Sequence, residues 1–170
     1  MLVRREQPGD VEDIAAVHRS AFATADGEEP GEVAIVAALR ASEAWLPRLS
    51  LVAVRDGATV GHVCITAATI GQQPVGALGP IGVRSDIQGR GIGSALMHGV
   101  LAAADALDLP LVGLLGHLEY YPRFGFVPGD TVGIAPSEPE WASHFQVRTL
   151  AAYDSAIAGE FRYAAPFYGL

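Results

Sequence analysis

Val83-Arg84-Ser85-Asp86-Ile87-Gln88-Gly89-Arg90-Gly91-Ile92-Gly93-Ser94-Ala95-Leu96 is the stretch on which the reading of this chain turns. An apolar run, Val75 to Val83, leads into it, and a mostly apolar helical pattern, Ile92 to Leu107, leads out. Between them Gly89, Gly91 and Gly93 place three glycines within five residues. Glycine there lets the backbone take positive φ and approach a ligand closely. The free N–H groups of the following helix point into the turn, and the helix dipole favours an anion. Strand, glycine turn and helix together make a phosphate cradle.

Two common cradles do not fit. A nucleotide P-loop ends in Gly-Lys-Ser/Thr, whereas Gly93 is followed by Ser94 and Ala95. A dinucleotide fingerprint spaces its glycines as Gly-x-Gly-x-x-Gly, and Gly89, Gly91 and Gly93 do not. The segment instead resembles the acyl-CoA signature Gln/Arg-x-x-Gly-x-Gly/Ala of the GCN5-related N-acetyltransferases, the GNAT superfamily. Gln88, Gly91 and Gly93 occupy its three fixed positions. After a further strand candidate, Leu109 to Leu115, comes Tyr120-Tyr121-Pro122-Arg123-Phe124-Gly125-Phe126. Tyr121, Gly125 and Phe126 match the family's next motif, Tyr-x-x-x-Gly-Phe. Two motifs in order, with a helix and a strand between them, identify the chain as a GNAT member. The ending, Gly159 followed by an aromatic cluster, resembles the YhbS-like subgroup of predicted N-acetyltransferases.

Composition agrees with one globular domain over residues 1–170. Half of the chain is apolar, 18% is charged, and the length suffices to bury a core. The formal net charge of −8 argues against a general nucleic-acid surface. Cys64 is the only cysteine, so no internal disulfide forms, and its apolar surroundings suit a core residue. Met1 to Asp10 lacks the apolar segment of a signal peptide, and no run approaches the ~20 apolar residues of a membrane span. A cytoplasmic location with no membrane partner is the expectation. Monomer and homodimer both stay open.

The order of elements predicts an α/β (α+β) fold. Leu2 to Glu6 reads as a strand, and residues 11 to 22 and 31 to 41 as helices. Runs 49–55 and 58–69 flank Asp56-Gly57, a strong hairpin signal. The meander continues through 75–83, where Pro80 removes a ladder donor and predicts a bulge or an edge. Strand 109–115 should run parallel to 75–83 after the crossover helix. Residues 128–139 read as irregular, Phe145 to Leu150 as a strand, and 161–163 as a last strand. The resemblance implies the GNAT acyl-CoA N-acyltransferase fold: a mixed, mostly antiparallel sheet with helices on both faces, and acetyl-CoA held where two parallel strands splay.

The resemblance also implies the chemistry. The reaction is transfer of the acetyl group of acetyl-CoA, a co-substrate, to a primary amine by direct attack, with no metal. The pantetheine arm would pair with Ile81, Gly82 and Val83, and the Val83 N–H would polarise the thioester carbonyl. The pyrophosphate would sit on the N–H groups of Gly89, Arg90, Gly91, Ile92, Gly93 and Ser94, with Gln88 as the cofactor-binding position that opens the signature and Arg84 and Arg90 adding positive charge. Tyr121 is the candidate general acid, since a phenol near pKa 10 can protonate a thiolate near 8.5 without ionising first. Tyr120 is expected to pack under the motif. Candidates for the base are Glu28, Glu29, Glu32, His117 and Glu119; the three glutamates equally suit the positive end of the second helix. Some peptide-terminus acetylating relatives carry an asparagine where this chain has Leu114, which speaks against that acceptor class. Four carboxylates between Asp26 and Glu32 predict a cationic acceptor, a small molecule or peptide. The competing reading is a non-catalytic acyl-CoA-binding or regulatory module on the same fold.

Overall fold

Alternating apolar positions build the centre of the molecule. The computed structural model describes residues 1–169. Its strands are β1 (Leu2–Arg5), β2 (Ser50–Arg55), β3 (Ala58–Ile70), β4 (Gln73–Val83), β5 (Leu111–Leu115), β6 (Val127–Pro128), β7 (Ile134–Pro136), β8 (Phe145–Thr149) and β9 (Gly159–Arg162). Its helices are α1 (Val11–Ala21), α2 (Gly31–Arg40) and α3 (Ile92–Ala106). Leu51 of β2 lies opposite Val63 of β3, and Val52 opposite His62. The first pair joins the core under α3; Val52 turns to the other face and packs with Ile14 of α1 and Val36 of α2. Asp56 and Gly57 close the hairpin with φ of 52° and 80°, as an Asp-Gly turn requires.

The sheet order is β1-β2-β3-β4-β5-β8-β6, with β4 and β5 parallel and the other neighbours on that path antiparallel. Helices cover both faces. Leu96, Met97, Val100 and Ala104 of α3 are fully buried against Val63, Ile65 and Val112. Each such Leu or Met contributes about 1.5–3 kcal/mol. The face under α1 and α2 is completed by aromatics from the C-terminal third: Phe145, Phe161 and Tyr163 lie with Ala77 and Leu111.

The bulge expected at Pro80 is present. Val63 pairs with Ile81 and Ile65 with Leu78, so Gly79 and Pro80 together oppose Cys64. Strand β5 starts at Leu111 rather than Leu109, because Asp108 takes positive φ (57°) and Pro110 follows. Residues 128–139 are less irregular than their sequence suggests: they contain β7, which pairs with β9. Strand β9 begins at Gly159 and also adds to the end of β3 through Thr69↔Arg162 and Ile70↔Phe161. These pairings join segments far apart in the chain, so local pattern carried little sign of them.

Candidate active site

The glycine turn is held from within. Ser85–Ile87 forms one 3₁₀ turn, and the Gln88 side-chain amide donates to the Val83 carbonyl at 3.0 Å. Gly89 and Gly91 have φ of 74° and 81°. Gly91 is the N-cap of α3, where the first helical bond runs from the Ala95 N–H to the Gly91 carbonyl. The N–H groups of Ile92, Gly93 and Ser94 therefore have no helical acceptor and face outward from the helix start. The buried Ile92 side chain roots that end of α3 in the core.

Beside the turn the sheet opens. Strands β4 and β5 pair only at Gly76↔Val112 and Ala77↔Gly113, and beyond those residues the ladder stops. The Arg84 N–H is directed at Val60 of β3. Alternation along a strand then turns the Val83 N–H to the other side, toward the gap. A cavity of ≈ 430 Å³ occupies this end of the gap. Ile81 and Val83 form its β4 wall; Gln88, Gly89, Gly91, Ile92, Gly93 and Ser94 form its floor; Tyr120, Tyr121 and Arg123 close it. Gly82 and Arg90 do not line it. Gly82 faces α1, where an added Cβ would lie 3.0 Å from His18, and Arg90 is exposed.

Tyr121 opens a short 3₁₀ turn, Tyr121–Phe124, that stops at Gly125 with φ of 84°. Phe126 then inserts into the core, 6.0 Å from the Tyr121 ring. The Tyr121 ring rests on Gly116, where an added Cβ would come within 2.2 Å of it, so a side chain at that position would displace the ring. Burial, and next the adjoining Tyr120, push the Tyr121 phenol up to about 12. Tyr120 packs on Tyr121 and Phe124 of the motif, ring centroids 5.0 and 5.4 Å away, and is also part of the cavity wall, its hydroxyl turned toward Gly93. The Arg123 guanidinium covers the Tyr120 ring at 4.6 Å and donates to the Tyr120 carbonyl at 2.8 Å. Arg123 is thus a cation on the cavity wall, and the sequence reading did not single it out.

The other charged candidates scatter. Arg84 forms a bidentate pair with Asp86 at 2.8 and 3.1 Å and is locally neutralised. Glu29 pairs with Arg19 at 2.6 Å, and Glu28 is exposed. His117 and Glu119 are exposed and stand outside the cavity wall. Glu32 lines a second cavity, beside Leu78, Gly79 and Pro80 of β4. Among the described residues no group of three or more His, Cys, Asp or Glu is placed to hold a metal ion. None of the helices among them is long and apolar enough to cross a membrane.

A polar chain on the α1 face went unseen in the sequence. Arg40 Nε donates to Glu6 at 2.8 Å; Glu6 accepts from Ser50; Ser50 Oγ lies 2.9 Å from His62 Nε2; His62 Nδ1 lies 2.8 Å from His18 Nε2. The carboxylate fixes every proton in this chain. It takes the Ser50 hydroxyl hydrogen, so Ser50 accepts from His62 Nε2–H, and His62 Nδ1 accepts from His18 Nε2–H. His18 Nδ1 is left as a bare, buried acceptor beside Gly82. Burial holds both imidazoles below their usual range, His18 down to about 3. Burial alone would raise Glu6, but His62, Arg40 and Ser50 outweigh it and bring it to about 2.

The stability consequence has a definite sign. Groups neutral in the fold and free to protonate at 6.5 when unfolded contribute fully above pH 6.5 and lose that contribution as pH falls toward 3. Each contributes a slope of up to about 1.4 kcal/mol per pH unit. Glu6 adds its own loss only below its ordinary 4.5. Urea unfolding between pH 6.5 and 4.5 therefore isolates the histidines: stability should fall steeply there, and His18→Leu should remove about one proton from the slope. An unchanged slope in that variant would deny the buried pair this role.

Comparison with known proteins agrees with this geometry. The profile of the Acetyltransferase (GNAT) family matches residues 14–126. The uncharacterized N-acetyltransferase YjhQ of Escherichia coli is 33% identical over 165 residues, covering 92% of this chain and 88% of the relative. A GNAT family acetyltransferase from Brucella melitensis, solved with acetyl-CoA, is 33% identical with a TM-score of 0.79, covering 98% of this chain and 97% of that one. YhbS of Escherichia coli, solved with CoA, is 27% identical with a TM-score of 0.88, covering 98% and 91%. The family match and the relatives solved with CoA and acetyl-CoA, taken with this cradle, place the chain among acetyl-CoA-dependent acyltransferases. The chain belongs to the Acetyltransferase (GNAT) family, and it is an acyltransferase of that fold.

Proposed function

We propose that this protein transfers the acetyl group of acetyl-CoA to a primary amine by direct attack. The observation that carries this reading is the convergence of the glycine turn, the α3 N-terminus and Tyr121 on one cavity at the β4–β5 gap. The pyrophosphate lies on the N–H groups of Gly89 to Ser94, with Arg90 and Arg123 as its nearby cations. Ile81 and Val83 carry the pantetheine arm along β4, while Gly82, expected to share this role, turns its main chain to β3 and its open side to α1. The Val83 N–H polarises the thioester carbonyl, and such a donor contributes about 3 kcal/mol to the transition state. The neutral amine forms the new C–N bond, the C–S bond breaks, and the Tyr121 phenol protonates the departing thiolate. The proton lost by the amine leaves to solvent, and the phenol is refilled from there. The CoA- and acetyl-CoA-bound relatives support the same donor here.

Acetyl-CoA turnover followed by free thiol, against a panel of amines, tests the reading. Turnover with at least one amine is expected. Tight acetyl-CoA binding by calorimetry with no turnover would favour the non-catalytic module.

The acceptor is cationic in this reading, and Glu32 is the carboxylate that meets it. Glu32→Gln should raise the acceptor KM several-fold at low ionic strength, less at high salt, and leave the acetyl-CoA KM alone. Glu28→Gln, on the exposed loop, should leave both unchanged. Equal behaviour of the two variants would move the acceptor away from α2.

A further inference from the structure

We infer that the acceptor is an amine with an apolar body, an alkyl- or arylalkylamine, seated in the second cavity. This assignment rests on the acetyl-transfer reading above and names the substrate class for it. The cavity measures ≈ 550 Å³ and lies against β4 at the bulge, a size suited to one small ligand. Its walls are Ile35 of α2, Leu78 and Pro80 of β4, Leu115 at the end of β5, and the rings of Tyr163 and Phe167. These six come from four segments remote in sequence, and Glu32 with the backbone of Gly31 and Gly79 completes the wall. Pro80 has no N–H, and the Gly79 carbonyl already accepts from the Cys64 thiol at 3.2 Å. The Tyr163 hydroxyl is buried without a hydrogen-bond partner, the one polar side-chain atom besides the Glu32 carboxylate among the residues of this wall. The one carboxylate on the wall is Glu32.

Position ties this cavity to the reacting centre. Leu78, Gly79 and Pro80 run directly into Ile81, which lines the glycine-turn cavity. Leu115 runs directly into Gly116, on which the Tyr121 ring rests. The two cavities are therefore lined by successive stretches of β4, with no lining residue in common. Leu111 and Leu115 share one face of β5, the face under the C-terminal aromatics, while Val112 and Leu114 share the α3 face. The donor thus enters from the α3 side and the acceptor from the α2 side, meeting where the β4–β5 ladder stops.

Leu115 is 37% exposed and Phe167 is half-buried. Large apolar side chains left open around a cavity are covered when a complementary ligand fills it. A polyamine or an amino sugar would strip water from further ammonium or hydroxyl groups there and find carbon opposite them. An alkyl or aryl body loses nothing on entry, and its single ammonium meets Glu32.

A homologous series of n-alkylamines, propylamine to heptylamine, with phenethylamine and spermidine alongside, tests this in the acetyl-CoA turnover assay. The expected result is a rise in kcat/KM of about fourfold per methylene until the cavity fills. Phenethylamine should outperform spermidine by at least about tenfold. Leu115→Gln should flatten the series, with the acetyl-CoA KM and the melting temperature near wild type. Ile35→Ala, which enlarges the same wall, should shift the best chain length upward. A flat wild-type series, or a series unaltered by Leu115→Gln, overturns the assignment while leaving acetyl transfer in place. No turnover of any amine overturns both.

Discussion

Tyr121→Phe is expected to lower kcat by about 10²–10⁴-fold, the usual size of general acid catalysis, with acetyl-CoA affinity close to wild type. The variant keeps the ring on Gly116 and its contact with Phe126, so the cavity wall survives. Only the proton donor is lost. The buried phenol, pushed up to about 12, looks a weak acid for a thiol near 8.5. Desolvation acts on both partners, however. A thiolate leaving in the same cavity is raised by the same loss of water, so the gap between the two stays near its solution value of about 1.5 units. The raised phenol also keeps its proton throughout the neutral and mildly alkaline range. The wild-type kcat should therefore rise with pH as the amine deprotonates and show no fall from Tyr121 ionisation. Retention of more than half of wild-type kcat in the phenylalanine variant would show that this proton does not limit turnover. Tyr120, with its hydroxyl near Gly93, is then the next donor to replace.

What the sequence made legible is what depends on neighbours in the chain. The glycine turn is local: φ of +74° and +81° at Gly89 and Gly91 is a requirement that a few residues can announce. The Asp56-Gly57 hairpin and the bulge at Pro80 are local in the same way. The direct crossover from β4 through α3 to β5 made their parallel pairing a consequence of chain handedness. Tyr121 was found because a fixed spacing ties it to Gly125, which ends the 3₁₀ turn.

What stayed hidden depends on contacts between distant segments. Glu6, Ser50, His62 and His18 lie on four different elements or their flanks, and no spacing links them. His18 reads as one more polar residue at the end of an amphipathic helix. Only the fold shows that Gly82 leaves room for its ring. The second cavity draws on α2, β4, β5 and the C-terminal aromatics, so composition of any one segment was silent about it. Within the acidic loop the sequence could not tell its glutamates apart: Glu32 lines the second cavity, while Glu29 pairs with Arg19. Arg123 sat inside a quoted motif, yet its place on the cavity wall follows from the turn that stacks it over Tyr120.

Gly91→Glu is expected to reduce acetyl-CoA affinity by roughly two orders of magnitude or more while the protein stays folded, a loss near 3 kcal/mol. The fold survives because a Cβ at Gly91 meets nothing within 4 Å. The backbone still resists, since φ of +81° costs a side-chain-bearing residue about 1–2 kcal/mol. The larger effect falls on the ligand. A glutamate at the N-cap carries an anion to the N–H groups of Ile92, Gly93 and Ser94, the groups assigned to the pyrophosphate. It competes for those donors and repels the phosphates at the same time. Gly91→Ala separates the two contributions, because it brings the same backbone strain with no charge. Calorimetry should show a modest affinity loss for alanine and a far larger one for glutamate, the latter partly relieved by salt. Equal losses would mean that the turn acts only through its backbone shape. Unchanged affinity in both variants would take the phosphates off this turn, and Arg123 would then mark where to look for them.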